Sequence, residues 1–283
     1  MFVIQRRTWD ALTMNSQNHP KEEGDVDAHA RDYEAEVRKM HVAHWRALIQ
    51  YPVAFEYTLE RREIKQLIEA MRVSIQTGTF SAVYEEEMDE IVDRLGKAGL
   101  PPTTTGWFFR FDECSPKDGA FAHHWDMIRG AEDVVRQLVT SNRARLALES
   151  GNTMLYFCHV DPRWDYQREV RVFVHKGMVT AISQYAHDST WFCARTDAQL
   201  EALGLKIVQK LTAMMRDIVF ALNTQSFICD ILVKDDVGED LHLIEFNPCG
   251  YWLPGGSAFY HWMHDRRLLY NDEGTVYFRV GTL

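Results

Sequence analysis

SFICDILV (226–233), DDVGED (235–240) and LHLIEFNPCG (241–250) decide how this chain is read. The outer two segments are rich in Ile, Leu, Val and Phe, and the middle one carries Gly238. Together they predict two antiparallel strands joined by a hairpin turn. A core strand ordinarily wants apolar residues, yet Asp230, Glu245 and Asn247 interrupt these two. Side chains alternate along a strand, so with Asp230 opposite Glu245, Asn247 projects from the same face two residues further on. Three oxygen donors then converge from neighbouring strands. Hard oxygen donors on rigid strands suit Mg²⁺, which keeps several waters and completes its shell with nucleotide phosphates. The alternative is a solvated sheet face that carries an Asp and a Glu, as one-sided antiparallel sheets do.

Upstream, REVRVFV (168–174) and MVTAISQY (178–185) flank Lys176-Gly177 and predict a second hairpin. Arg171 alternates onto the face of Phe173. It is either half of an ion pair, with Glu169, Asp230 and Glu245 as candidate partners, or an anion ligand whose fork matches phosphate oxygens. Asp197–Leu222 reads as a long amphipathic helix, with Leu200, Leu203, Ile207, Leu211, Met214, Ile218 and Leu222 along one face.

In the first half, helical spacing predicts helices over Val37–Leu48, Glu63–Arg72, Glu85–Ala98, Ala131–Thr140 and Arg143–Leu148. WFFRF (107–111) and MLYFCHV (154–160) read as strands. Arg110 and Lys117 bracket the loop FDECSPKDGAF, which either covers phosphates or is simply solvated. GYWLPGGSAFYHW (250–262) offers its aromatics either to a partner or to the core. Residues 13–35 are polar and acidic, so 1–36 is expected to be a flexible leader, with the ordered domain over 37–283. Helices first, then antiparallel hairpins with one helix between them, describe an α+β protein.

The 283 residues allow one large domain or two interlocked lobes, and 46 % apolar with 25 % charged residues is ordinary for a globular chain. A formal net charge of −10 argues against binding a nucleic-acid backbone, which needs a positive surface. Cys114, Cys158, Cys193, Cys229 and Cys249 are odd in number and form no C-x-x-C pair. Neither a zinc site nor a disulfide framework is expected, and reduced thiols point to the cytoplasm. No apolar run reaches the length of a membrane span, and no secretory leader is expected. The chain has no P-loop, dinucleotide-binding glycine turn or kinase motif set, and no G-x-S-x-G or H-E-x-x-H. His123-His124 are adjacent, so their rings diverge and a surface pair or aromatic contact is expected rather than a metal pair.

Taken in order, these segments resemble the cell division cycle protein 123 family. The matching pieces are HVAHWRALIQYPVAF (41–55), WFFRFDECSPKDGA (107–120), SNRARL (141–146), REVRVFVHKGMVTAISQY (168–185) and the terminal FICDILV…LHLIEFNPCG. The likeness spans residues 40–265, and VRVFV…AISQ followed by D…LIEFNP is its specific part.

The resemblance implies an ATP-grasp-like fold of two lobes with antiparallel sheets, a boundary near 150 and a nucleotide cleft between them. It implies ATP and Mg²⁺ as cofactors, with Asp230, Glu245 and Asn247 holding the metal and Glu245 standing in for the family's more usual Asp. Arg171 falls on an arginine that contacts phosphates. Arg110 falls where the family has a lysine, and Lys117 and Asp118 fall in a loop that closes over the phosphates. Cys158, His159, Val160 and Asp161 fall on the strand whose backbone meets adenine, with Val160 replacing a basic residue. The implied role is an assembly chaperone for translation initiation factor 2 that binds its gamma subunit. An ATP-grasp enzyme, a carboxylate–amine ligase or phosphotransferase, is the alternative.

Overall fold

A computed structural model describes residues 1–8, 26–79, 81–122 and 124–282, with residues 26–31 as backbone only. The strands are β1 (Phe2–Arg7), β2 (Phe55–Thr58), β3 (Trp107–Arg110), β4 (Met154–His159), β5 (Glu169–His175), β6 (Met178–Gln184), β7 (Phe227–Val233), β8 (Leu241–Pro248) and β9 (Val276–Gly281). The chain divides into two compact units. One comprises Met1–Gln50 with Arg163–Leu283; the other is the inserted stretch Tyr51–Pro162. The junctions therefore lie at 50/51 and 162/163 rather than near 150.

The discontinuous unit is built on a six-stranded sheet in the order β1-β9-β6-β5-β7-β8. The two expected hairpins, β5–β6 and β7–β8, are present and antiparallel, and β5 also pairs antiparallel with β7. The sheet is nevertheless mixed, because β9 runs parallel to both β1 and β6. The expected antiparallel hairpins thus sit in a sheet that also holds two parallel pairings. A parallel pair needs a distant crossover, which local alternation does not reveal.

The long helix Asp197–Leu222 has the predicted bounds because both its ends are specified. Thr196 and Gln199 form a reciprocal capping box at its start, and Asn223 adopts the left-handed conformation after its last turn. The helix packs on the sheet over β1, β6 and β9. Leu200, Ile207, Leu211 and Ile218 are fully buried along its inner stripe.

Phe173, Ala181 and Ile228 point to the other sheet face, where they pack with Tyr260, Trp262 and Leu269. The aromatics Phe259, Tyr260 and Trp262 are thus core residues, so the packing alternative holds for them, while Tyr251 and Trp252 are half-buried. Most of the expected leader, 9–25, lies outside the described residues, as does His123. Flanking that stretch, Phe2–Arg7 is a strand of the sheet and Val26–Lys39 is a helix, where a flexible leader was expected.

The inserted unit has an antiparallel three-stranded sheet in the order β2-β4-β3. Helices Arg61–Thr77, Glu85–Lys97, Ala131–Val139 and Asn142–Glu149 pack with it. Its core joins Leu67, Met71, Ile91 and Leu95 to Phe109, Val134, Leu138 and Phe157, all buried. No helix among the described residues is long and apolar enough to cross a membrane.

Candidate functional site

The register of the large sheet puts four polar residues in one row across adjacent strands. Ser183 on β6 pairs with Arg171 on β5, Arg171 with Asp230 on β7, and Asp230 with Glu245 on β8. The expected Asp230–Glu245 pairing is therefore present. A bulge follows Asp230, where the register skips so that Ile231 pairs with Leu243. Because the irregularity lies on the far side of Glu245, it leaves Glu245 and Asn247 on one face. Asn247 Nδ2 donates to Glu245 Oε1 at 3.3 Å.

Arg171 is the dominant feature of the row. Its Nε donates to Asp230 Oδ1 at 2.8 Å and its Nη2 to Asp230 Oδ2 at 2.7 Å, a two-pronged pair. Its Nη1 donates to the Gly256 carbonyl at 2.7 Å, and its guanidinium lies 4.8 Å from the centre of the Tyr185 ring. Both side chains of the pair are almost fully buried, at 8 % and 3 % exposure. Of the two alternatives for Arg171, the structure shows the ion pair, with Asp230 as the partner.

Burial raises the Asp230 carboxyl above its ordinary value, and the facing carboxyl of Glu245 pushes it the same way, against the opposing pull of Arg171. Burial alone would lower the Arg171 guanidinium, but the Asp230 charge and its hydrogen bonds outweigh that and hold it well above its ordinary value. The guanidinium is committed to Asp230.

Mg²⁺ fits this donor set in kind. Asp230, Glu245 and the Asn247 amide are hard oxygen donors on one face. The Arg171 fork takes two of the roughly four lone-pair positions of Asp230, so the carboxylate keeps acceptor capacity. Among the described residues, no three His, Cys, Asp or Glu side chains assemble into a metal-holding group. Any remaining ligands would have to be waters or phosphate oxygens.

Two contributors escaped sequence reading. Gly256 supplies the carbonyl that Arg171 holds, and Tyr185 supplies the ring beneath the guanidinium. The dipeptide Gly255-Gly256 was the available signal. A Cβ on Gly255 would lie 2.6 Å from the Pro248 carbonyl oxygen and 2.7 Å from Ile228 Cδ1, so the close approach of this segment to the sheet requires glycine.

The remaining expected residues belong to the inserted unit. Arg110 ends β3, is buried, and donates from Nε to the Phe111 carbonyl at 3.2 Å. Lys117 is half-buried in the following loop, its amide donating to the Ser115 carbonyl at 2.9 Å. Asp118 accepts from the Ser141 hydroxyl and, at 3.1 Å, from the Arg143 amide, while Ser141 itself accepts from Ala144. Asp118 therefore caps the helix Asn142–Glu149 through its N-cap serine.

Cys158 is buried near the end of β4, its Sγ 3.6 Å from the Tyr51 carbonyl oxygen, and burial pushes its thiol up to about 11. The His159 ring stacks on Trp107 with centres 4.2 Å apart. The Val160 amide donates to the Gly106 carbonyl at 3.1 Å, and Asp161 follows, half-buried, beyond the strand.

The structure of Cdc123 from Schizosaccharomyces pombe matches this one over 87 % of this chain and 96 % of that one, with a TM-score of 0.58 and 13 % identity. A C-terminally truncated Cdc123 from the same organism matches over the same shares, with a TM-score of 0.59 and 14 % identity. The chain therefore has the fold of Cdc123. D-alanine–D-alanine ligase from Bacillus anthracis, solved with ATP, matches 55 % of this chain and 44 % of that one at a TM-score of 0.31 and 14 % identity. No protein-family model and no curated protein matches the sequence.

Proposed function

We propose that this chain, which has the fold of Cdc123, is an ATP-grasp-like protein that binds ATP with Mg²⁺ and works as an assembly chaperone for translation initiation factor 2 in the cytoplasm. The observation that carries the nucleotide part is the pairing of Asp230 with Glu245, two carboxylates in register on adjacent strands with Asn247 on the same face. In this reading Asp230, Glu245 and Asn247 hold the metal, which when bound neutralises phosphate charge. Arg171 orients Asp230 and presents its remaining N–H groups to the nucleotide. From the inserted unit, Arg110, Lys117 and the 158–161 segment are the residues that the sequence resemblance offers to the nucleotide.

The chaperone part is supported by that resemblance together with the shared fold. Binding to the gamma subunit would use ATP as a ligand that favours one conformation, with no need for turnover.

Two measurements test the reading. Calorimetric titration of ATP with Mg²⁺ is expected to show one site, lost in Glu245→Gln; no binding to the wild-type protein rejects the nucleotide part. Capture by the immobilised gamma subunit, strengthened by ATP and Mg²⁺, is expected; a clean negative rejects the chaperone part. Release of ADP that depends on an added amine or thiol acceptor would replace the chaperone with an enzyme.

A further inference from the structure

His261 occupies an N-cap position, a place that Ser, Thr, Asp and Asn usually fill. Its carbonyl accepts from the Asp265 amide at 2.8 Å, which opens a helical turn leading into the helix Arg266–Leu269. Its Nδ1 accepts from the amides of Met263 at 3.1 Å and His264 at 3.2 Å. In return the His261 amide donates to Asp265 Oδ2 at 2.8 Å, a reciprocal arrangement in the manner of a capping box. An imidazole can fill this role only while Nδ1 carries no proton, and the neutral ring then bears its proton on Nε2. A protonated ring has no acceptor, and its Nδ1–H faces two backbone N–H groups.

The capped segment covers one face of the large sheet. Trp262 is buried, its ring 5.6 Å from that of Phe173 and its Nε1 donating to the Gly255 carbonyl at 3.2 Å. Leu269 is buried with it, and its carbonyl accepts from the Thr180 hydroxyl at 2.8 Å. Phe173 shares a strand face with Arg171, two residues away, and the carbonyl next to that of Gly255 is the one Arg171 holds. The charged and titratable groups around the His261 ring are His264, with ring centres 4.0 Å apart, and Asp265, which engages the Arg279 fork of β9 and the charge of Arg7 on β1. Burial and the His264 ring lower the His261 imidazole below its ordinary value of 6.5, against the pull of Asp265.

We propose that His261 is a proton-sensitive latch: neutral, it pins the segment 261–269 onto the sheet; protonated, it releases both amides and lets that segment loosen beside Arg171. The latch works in the protein alone and needs no ligand. Because the capped state resists a proton that the opened turn accepts, its stabilisation is complete above the ordinary value of 6.5. It is lost as pH falls from there through the lowered value of the capped ring. At about pH 5.5 the opened turn is favoured by up to about tenfold more than at about pH 7.5.

Hydrogen exchange of the Met263 and His264 amides, resolved by NMR and corrected for the intrinsic effect of pH, is the test. Wild-type protection of these two amides should fall by about three- to tenfold between about pH 7.5 and about pH 5.5. His261→Asn puts Oδ1 where Nδ1 stands and cannot titrate, so its protection should hold across the interval. His264→Asn should keep the wild-type fall, because the neighbouring ring only tunes the proton. The His261 ring of the wild-type protein should titrate below 6.5, in step with the loss of protection. Constant wild-type protection over the interval overturns the inference. So does an equal fall in His261→Asn, which assigns the response to another group. A wild-type ring that titrates above 6.5 overturns it as well, and that measurement needs no variant.

Discussion

Glu245 sits directly across from Asp230 on the neighbouring strand, in the same row of the sheet as the guanidinium that covers Asp230. An apolar core would not place two carboxylates in this way; burial raises the Asp230 carboxyl, and the facing Glu245 adds to that against the pull of Arg171. The consequences for substitution differ from those of an exposed metal site.

Asp230→Ala is expected to lose nucleotide-dependent metal binding and also to destabilise the fold by about 3–5 kcal/mol, because it strands Arg171 as a buried unpaired charge. Asp230→Asn, which can still accept one hydrogen bond, should cost less. Urea denaturation of the two variants checks the order. Equal stability of Asp230→Ala and wild type would show that the pair is not buried in solution.

Asp118→Ala should weaken the helix Asn142–Glu149 rather than abolish nucleotide binding. The side chain accepts from Ser141 and Arg143, so its loss is expected to cost about 1 kcal/mol, the usual scale for a helix cap. Chemical denaturation and ATP titration of the same variant separate the two roles. Intact stability with lost binding would favour the phosphate-loop role that the sequence resemblance implied.

Tyr260→Phe removes a buried hydroxyl that donates toward the Ile182 carbonyl at 3.2 Å and the Tyr277 carbonyl at 2.8 Å, on neighbouring parallel strands. About 1–2 kcal/mol of stability should be lost, the usual scale for a buried hydrogen bond. An unchanged denaturation midpoint would mean the hydroxyl contributes nothing.

The acid limb of stability is expected to depend on Asp265. Burial alone would raise its carboxyl, but the Arg279 fork, the His261 amide and the Arg7 charge together hold it below the ordinary value of 3.8. The folded state thus binds the proton less readily than the unfolded chain. The resulting stability is present above the unfolded pKa and is lost as pH falls through the depressed folded value. Asp265→Asn should therefore show a flatter dependence of urea midpoint on pH below about 4. A slope identical to wild type would exclude this pair as an acid-sensitive contact.

Much of the fold was legible because its signals are local. The β7–β8 hairpin and the placement of Asn247 beside Glu245 followed from two-residue alternation, and the bulge happened to fall where it did not invert that face. The helix Asp197–Leu222 carried its start signal in Thr196 and Gln199 and its stop signal in Asn223. The short edge strand β2, with only four residues, showed too little pattern to be read. β1 and β9 were missed because Phe2 finds Val276 only through the folded chain, and neither segment announces a parallel partner. The role of Arg171 was undecidable from its strand alone, since ion pair and anion ligand ask for the same residue type. Asp118 looked like part of a loop because its capping partners, Ser141 and Arg143, lie beyond an intervening helix.

The parallel pairing of β1 with β9 also bears on how the molecule is made. Residues 2–7 leave the ribosome long before their neighbours at 276–281 exist, so the large sheet stays incomplete until the chain has been made through residue 281. The inserted stretch 51–162 is contiguous and can collapse around its own core while synthesis continues. A nascent chain stalled after residue 240 would lack both β8 and β9 and would be expected to hold one finished unit beside a sheet open on both flanks.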